Sequence, residues 1–249
     1  MKPRPALSGM IISSVFVFLA LSFWQGTANS QDASAVPAKA PEAQSYRAGG
    51  KSIVIPPPAS DLDEIGADYR VALESFVPET NRLLAGFLHP AEISGIRAGT
   101  TKQLSDYALV EIPRRAEFAD VDAKLFKQIS DGVAQQFGGN LDSTMKDQEE
   151  EVNRRLKAMT STSGTISFDK PVQLGSLFSK QDACGFGMIM PISANGQSTK
   201  MAMSLLVMRV QNRVLFAYIY AAYKDEATIQ WIRSTGQQWA DAILKANRQ

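Results

Sequence analysis

The stretch Ala183–Ala222, ACGFGMIMPISANGQSTKMAMSLLVMRVQNRVLFAYIYAA, decides the fold. Asn195-Gly196 between apolar runs is the signature of a two-residue type I′ hairpin. With those two residues as the turn, Met190 faces Met201, Met188 faces Met203 and Phe186 faces Leu205. Gln211-Asn212-Arg213 marks the next turn. If that turn also has two residues, Phe216, Tyr218 and Tyr220 join the same face, because side chains alternate along a strand. One face is therefore large, apolar and aromatic. The other carries Gly187, Ile189, Ala202, Ser204, Leu206, Leu215, Ala217, Ile219 and Ala221, also apolar but mostly smaller. A sheet apolar on both faces must be covered on both faces. Pro191 cannot donate to a ladder, which predicts an edge position or a bulge there.

Working outward, helical segments flank this sheet. Leu125, Phe126, Ile129, Val133 and Phe137 recur at helical spacing, with Asp120 or Asp122 as cap, and Gly138-Gly139-Asn140 ends that helix. A second helix places Leu141, Met145, Val152, Leu156 and Met159 on one side. Its other side holds Glu149–Arg155, with Glu150–Arg154 and Glu151–Arg155 in the favourable i,i+4 order, a pattern read as a solvated face. The last helix, Glu226–Ala246, turns Ile229, Ile232, Trp239 or Ala240, and Ile243 inward. Before the hairpin lie strands over 165–168 and 172–178. Earlier still come strands over 82–88 and 107–112 and a helix from Asp61, capped by Ser60 and stopped by Pro78. Pro90–Thr101 reads as a loop with at most one helical turn. The expected architecture is α+β: an antiparallel sheet covered by helices on both faces, an α/β/α sandwich with a C-terminal helix.

Residues 1–30 give the address. Lys2 and Arg4 precede the apolar run Met10–Trp24, and Ala28-Asn29-Ser30 offers small residues for cleavage after Ser30. This is the pattern of a secretory signal. An uncleaved anchor is the alternative, since the run approaches the ~20 residues of a membrane span. Either places the rest of the chain in the periplasm or outside the cell, with membrane contact only through the N-terminal segment. Residues 31–60, rich in Ala, Pro, Ser and Gly, read as a flexible tether with Ile53–Ile55 a short edge strand. The single folded domain is then 61–249. Removing residues 1–30 leaves 24 basic and 25 acidic residues, a net charge of −1. That balance argues against a nucleic-acid partner.

This order of elements resembles the PsbP-like fold group over residues 70–247. The stretch LFAYIYAAYKDEATIQWIRSTGQQWADAILKAN also looks like uncharacterised exported bacterial proteins. No functional motif of the PsbP-like group is matched, so no binding residue is carried over. The resemblance implies an accessory or assembly role without catalysis.

The chemistry the residues permit is narrow. His89 is the only histidine, which removes two-His metal sites. GxSxG, GxGxxG and Walker loops do not occur. Ser143-Thr144-Met145-Lys146 matches S-x-x-K, with Ser143 as nucleophile and Lys146 as base, and Ser193-Ala194-Asn195 matches S-x-N. About one S-x-x-K is expected by chance in such a chain, and no K-[ST]-G follows. Four thioethers, Met188, Met190, Met201 and Met203, could form a Cu(I) site, although Met and its aromatic contacts are ordinary core filling. Cys184 sits in an apolar context that fits a buried thiol. No cofactor is implied. The reading is an exported envelope protein binding an unknown protein or envelope component, with Pro90–Thr101 and Glu149–Arg155 as candidate surfaces.

Overall fold

The structure is a computed structural model and describes residues 43–74, 77–98, 104–139, 141–159, 165–194 and 197–248. The chain runs β1 (Gln44–Ala48), β2 (Lys51–Ile55), β3 (Asp63–Glu64), α1 (Ala67–Glu74), β4 (Asn81–Leu88), α2 (Pro90–Arg97) and β5 (Asp106–Pro113). After a 3-10 turn at Arg114–Ala116 come α3 (Ala123–Gly138), α4 (Asp142–Met159), β6 (Ile166–Phe168) and β7 (Val172–Ser179). The hairpin strands β8 (Ala183–Ala194), β9 (Gln197–Val210) and β10 (Arg213–Ala222) lead to α5 (Glu226–Ala246).

Eight strands form one antiparallel sheet in the order β3-β4-β5-β10-β9-β8-β6, with β7 also on β8. The β8–β9 register pairs Ala194 with Gln197, Met190 with Met201, Met188 with Met203 and Phe186 with Leu205, as the two-residue turn requires. Asn195 and Gly196 themselves lie outside the described residues. Val210 pairs with Arg213, and the two turn residues have φ +48° at Gln211 and +61° at Asn212, the left-handed pair of a type I′ turn. The ladder continues through Pro191, opposite Lys200, with no register shift. Asp169 N–H donates to Pro191 O at 3.1 Å. A strand residue points its N and O to one side, so the missing donor of Pro191 faces the gap between β6 and β7. Of the two expectations for Pro191, an edge position or a bulge, the gap corresponds to the first; the irregularities are in β4 and β7 instead.

The two faces are those the alternation demands. On one, Phe186, Met188, Met190, Met201, Met203 and Tyr218 are buried with Phe126, Val133 and Phe137 of α3 and Met145 of α4. Asp122 caps α3 by accepting from Leu125 N–H at 2.7 Å. On the other face, Ala202, Leu206, Ala217 and Ile219 meet Ile232, Trp239, Ala240 and Ile243 of α5. The small residues let α5 come close: a Cβ on Gly236 would lie 3.1 Å from Ser204 Oγ and Leu206 Cδ2.

The helix α5 covers only part of that face. The β1–β2 hairpin covers the rest with Tyr46, Ala48, Ile53 and Ile55, and Ile53 and Ile55 are almost completely buried. The tether expected over 31–60 therefore does not extend past Gln44. Side chains of the C-terminal helix staple the hairpin down. Asn247 accepts from Val54 N–H at 2.8 Å and donates to Val54 O at 2.7 Å, as a neighbouring strand would. Trp239 Nε1–H donates to Pro56 O at 2.7 Å. Two further expectations change. Helix α1 starts at Ala67 rather than Asp61, because Asp63–Glu64 pair with β4 and Ile65 N–H donates to Gly86 O at 3.0 Å. The stretch from Pro90 holds two helical turns rather than one, with Pro90 at its first position and Ile93 buried.

Gly236→Val, which forces a branched side chain into the α5–β9 contact, is expected to lower unfolding stability by about 1–3 kcal/mol. Urea denaturation of the variant beside the parent checks this.

Candidate functional site

The most highly organised surface lies where three tight connections meet at one end of the sheet: the β1–β2 turn, the β9–β10 turn and the segment from β5 to α3. Strand β5 ends at Pro113, and the 3-10 turn leads into Glu117, Phe118 and Ala119. Gly49 N–H donates to Glu117 Oε1 at 3.2 Å, and Arg82 Nη2 donates to the same oxygen at 2.5 Å. Arg82 Nη2 also donates to Arg47 O at 2.8 Å. Arg213, 6% exposed, donates to Ala119 O at 3.0 Å, Asp120 Oδ1 at 2.5 Å and Gly49 O at 3.0 Å. Val121 N–H donates to Asn212 O at 3.0 Å. The hydrogen bond from Arg82 holds the Glu117 carboxyl below the usual carboxylate range, reinforced by the Gly49 amide and against a smaller opposing effect of burial.

This frame holds the residue between its anchors in the open. Phe118 is 75% exposed, while Glu117 on one side and Ala119 on the other are both tied down. Four carboxylates at this end are matched by arginines, Glu117 by Arg82, Asp120 by Arg213, Asp182 by Arg209 and Glu74 by Arg114, while exposed Asp122 caps α3 without an arginine partner among the described residues. Arg47, Lys51 and Arg115 are exposed and have no carboxylate partner among the described residues. Around Phe118, three exposed cations without a carboxylate partner thus outnumber the one exposed carboxylate without an arginine, Asp122.

The residues singled out from sequence fall elsewhere. Met188, Met190, Met201 and Met203 do come together on one face, yet all four are at most 2% exposed and packed with Met145 and the aromatics of that core. Lys146 is exposed on α4, three residues beyond Ser143 in the first turn. Ser193 belongs to β8, paired with Ser167 and Ser198, while Asn195 lies outside the described residues. Cys184 is buried, and desolvation pushes its thiol up to about 12. His89 follows β4 at the start of α2, with Nδ1–H donating to Asp61 O at 3.0 Å and Nε2 3.7 Å from Asp106 Oδ2. Among the described residues no three His, Cys, Asp or Glu side chains converge on a metal-sized site.

The face Glu149–Arg155 is not simply solvated. Asn153 donates to Ile166 O at 2.7 Å and accepts from Ile166 N–H at 2.8 Å; Glu149 accepts from Phe168 N–H at 2.8 Å. Helix α4 thus satisfies the outer edge of β6, which would otherwise present unpaired backbone groups. Glu151 takes both arginines, Arg154 at 2.7 Å and Arg155 at 2.5 Å, and Arg155 Nη1 donates to Val77 O at 2.8 Å.

Sequence reading missed two features. Phe118, Glu117 and Arg213 give no local pattern, since their partners lie tens of residues away. Glu111 is fully buried and accepts from Asn81 Nδ2 at 2.9 Å, beside the stacked pair Tyr107–Tyr220 with centroids 4.5 Å apart. A lone carboxylate inside YALVEI was its only signal. Burial raises the hydroxyls of Tyr107 and Tyr220 above their ordinary range.

No family model and no curated protein matches the sequence. Among solved structures the chain is similar to the Ran-binding protein Mog1p of Saccharomyces cerevisiae. The identity is 9% and the TM-score 0.31, covering 82% of this chain and 95% of that one. A structure of a Mog1 point mutant gives 12% identity and a TM-score of 0.28, covering 82% and 94%.

Gly49 has φ +54°, and a Cβ there would lie 1.8 Å from Glu117 O; Gly50 has φ +80° with nothing within 4 Å. Gly49→Ala is expected to lower stability by about 1–3 kcal/mol, and Gly50→Ala by less, as read from urea midpoints. The lowered Glu117 carboxyl contributes stability that is complete above the unfolded value of about 4.3 and is lost as pH falls through the lower folded value. Acid sensitivity below about pH 4 should accordingly be smaller in Arg82→Gln.

Proposed function

We propose that this chain is an exported cell-envelope protein acting as a non-catalytic binding or accessory module. Export rests on Lys2, Arg4, the run Met10–Trp24 and the small residues before Gln31. No helix among the described residues is long and apolar enough to cross a membrane, so any anchor falls to that N-terminal segment. The observation that carries the binding reading is Phe118: a large apolar side chain in water, on a segment whose neighbours are fixed by Arg213, Arg82 and Gly49. Exposed aromatics on rigid supports are a feature of binding surfaces. The sheet faces, by contrast, are filled with their own side chains.

Fractionation of the cells that encode the protein, with mass spectrometry of the intact chain and native electrophoresis, tests this. The expected result is a chain beginning at Gln31 in the periplasmic or envelope fraction, migrating in a species larger than itself. An intact N-terminus in the membrane fraction keeps export and replaces cleavage by anchoring. A cytoplasmic chain, or a free monomer in every envelope extract, contradicts the proposal.

A further inference from the structure

We infer that the Phe118 surface docks into an apolar pocket rimmed by carboxylates on a protein partner. This rests on the binding-module reading and gives it a place and a chemistry.

Three observations converge. Phe118 is 75% exposed, one of two large hydrophobic side chains so exposed among the described residues. Its backbone is preorganised, because Glu117 and Ala119 on either side are anchored by Gly49, Arg82 and Arg213. Around it, Arg115 precedes it by three residues, and Arg47 and Lys51 flank the Gly49 turn that touches Glu117; these three cations lack carboxylate partners among the described residues. The Arg47 guanidinium lies back over that turn, with Nη1 3.4 Å from Gly50 O.

The arrangement favours a shaped, acidic protein surface over a lipid bilayer. A fluid interface rewards several apolar side chains and does not reward a fixed backbone. A pocket rewards a single rigid aromatic anchor, since ordering it costs little on binding. The surplus cations then meet the rim, where charge governs encounter rate and choice of partner. Glu117 and Asp120 do not oppose this, because Arg82 and Arg213 already match them, and Asp122, engaged with the Leu125 amide as the cap of α3, offsets only one of the three cations.

The test uses the full chain in the cells that encode it, with a benzophenone amino acid in place of exposed Ala119 and, as a control, of exposed Glu150 on α4. Irradiation is expected to give a discrete protein adduct from position 119. Its yield should fall about tenfold or more with Phe118→Ala and fall also with Lys51→Glu or Arg115→Glu. Mass spectrometry should place the link beside aspartate or glutamate in the partner. Phe118→Ala should unfold at the parent's temperature, which separates lost docking from lost fold. An adduct unaffected by Phe118→Ala, one only to lipid, or one of twice the chain's own mass overturns the inference. Flotation of the parent, but not of Phe118→Ala, with phosphatidylglycerol vesicles would assign the surface to the membrane instead. Protein adducts from position 150 but not from 119 overturn the docking site and leave the binding-module reading standing. No protein adduct from either position counts against both.

Discussion

A sheet apolar on both faces is the constraint on which the rest of this structure depends. The strands β8, β9 and β10 put Met, Phe and Tyr side chains on one face and Ala, Leu and Ile on the other. Leaving either face in water would forgo roughly 25 cal/mol for every Å² of apolar surface that could be buried. The helices and the early hairpin follow as cover. Helices α3 and α4 take the bulky face, and α5 approaches the small-residue face closely enough for Gly236 to matter.

What completes the second face is the early hairpin β1–β2, which is thereby joined to the last helix and its cap residue. Asn247 pairs with both backbone groups of Val54, and Trp239 reaches Pro56 O. At the far end of the same hairpin, Gly49 is gripped by Glu117 and Arg213. These contacts fix the segment that carries Phe118. The exposed aromatic is thus a by-product of sealing the core, and the binding surface proposed here is built on the same ties that hold the fold.

The central sheet was readable because its turns announce themselves. Asn195-Gly196 and strict alternation on either side settle the register, and one shifted residue would have put Met188 and Met203 on the opposite face. Of the hairpin at 44–55 only the second strand, Ile53–Ile55, shows in the sequence reading, although Gly49-Gly50 is also a two-residue turn signal between alternating residues, Tyr46 and Ala48 before it and Ile53 and Ile55 after it. Composition hid it: the Ala- and Pro-rich surroundings suggested a tether. The charged face of α4 is solvated at Glu150 and Arg154 and shows only half its role in the sequence. Charge along a helix looks the same whether it faces water or, as with Asn153 and Glu149, caps the edge of β6. The Phe118 surface was unreadable in principle, since Arg213 and Gly49 are 164 residues apart.

The claim that the early hairpin is part of the folded domain is open to one direct measurement, native-state hydrogen exchange of the protein. Tyr46 and Ile53 face each other across β1 and β2. Their amides are expected to be protected nearly as strongly as those of β9, opening only with the sheet they cover. Exchange of both at the rate of an unstructured peptide, with β9 still protected, would contradict the account, because the part of the second face that α5 does not reach would then lack its cover.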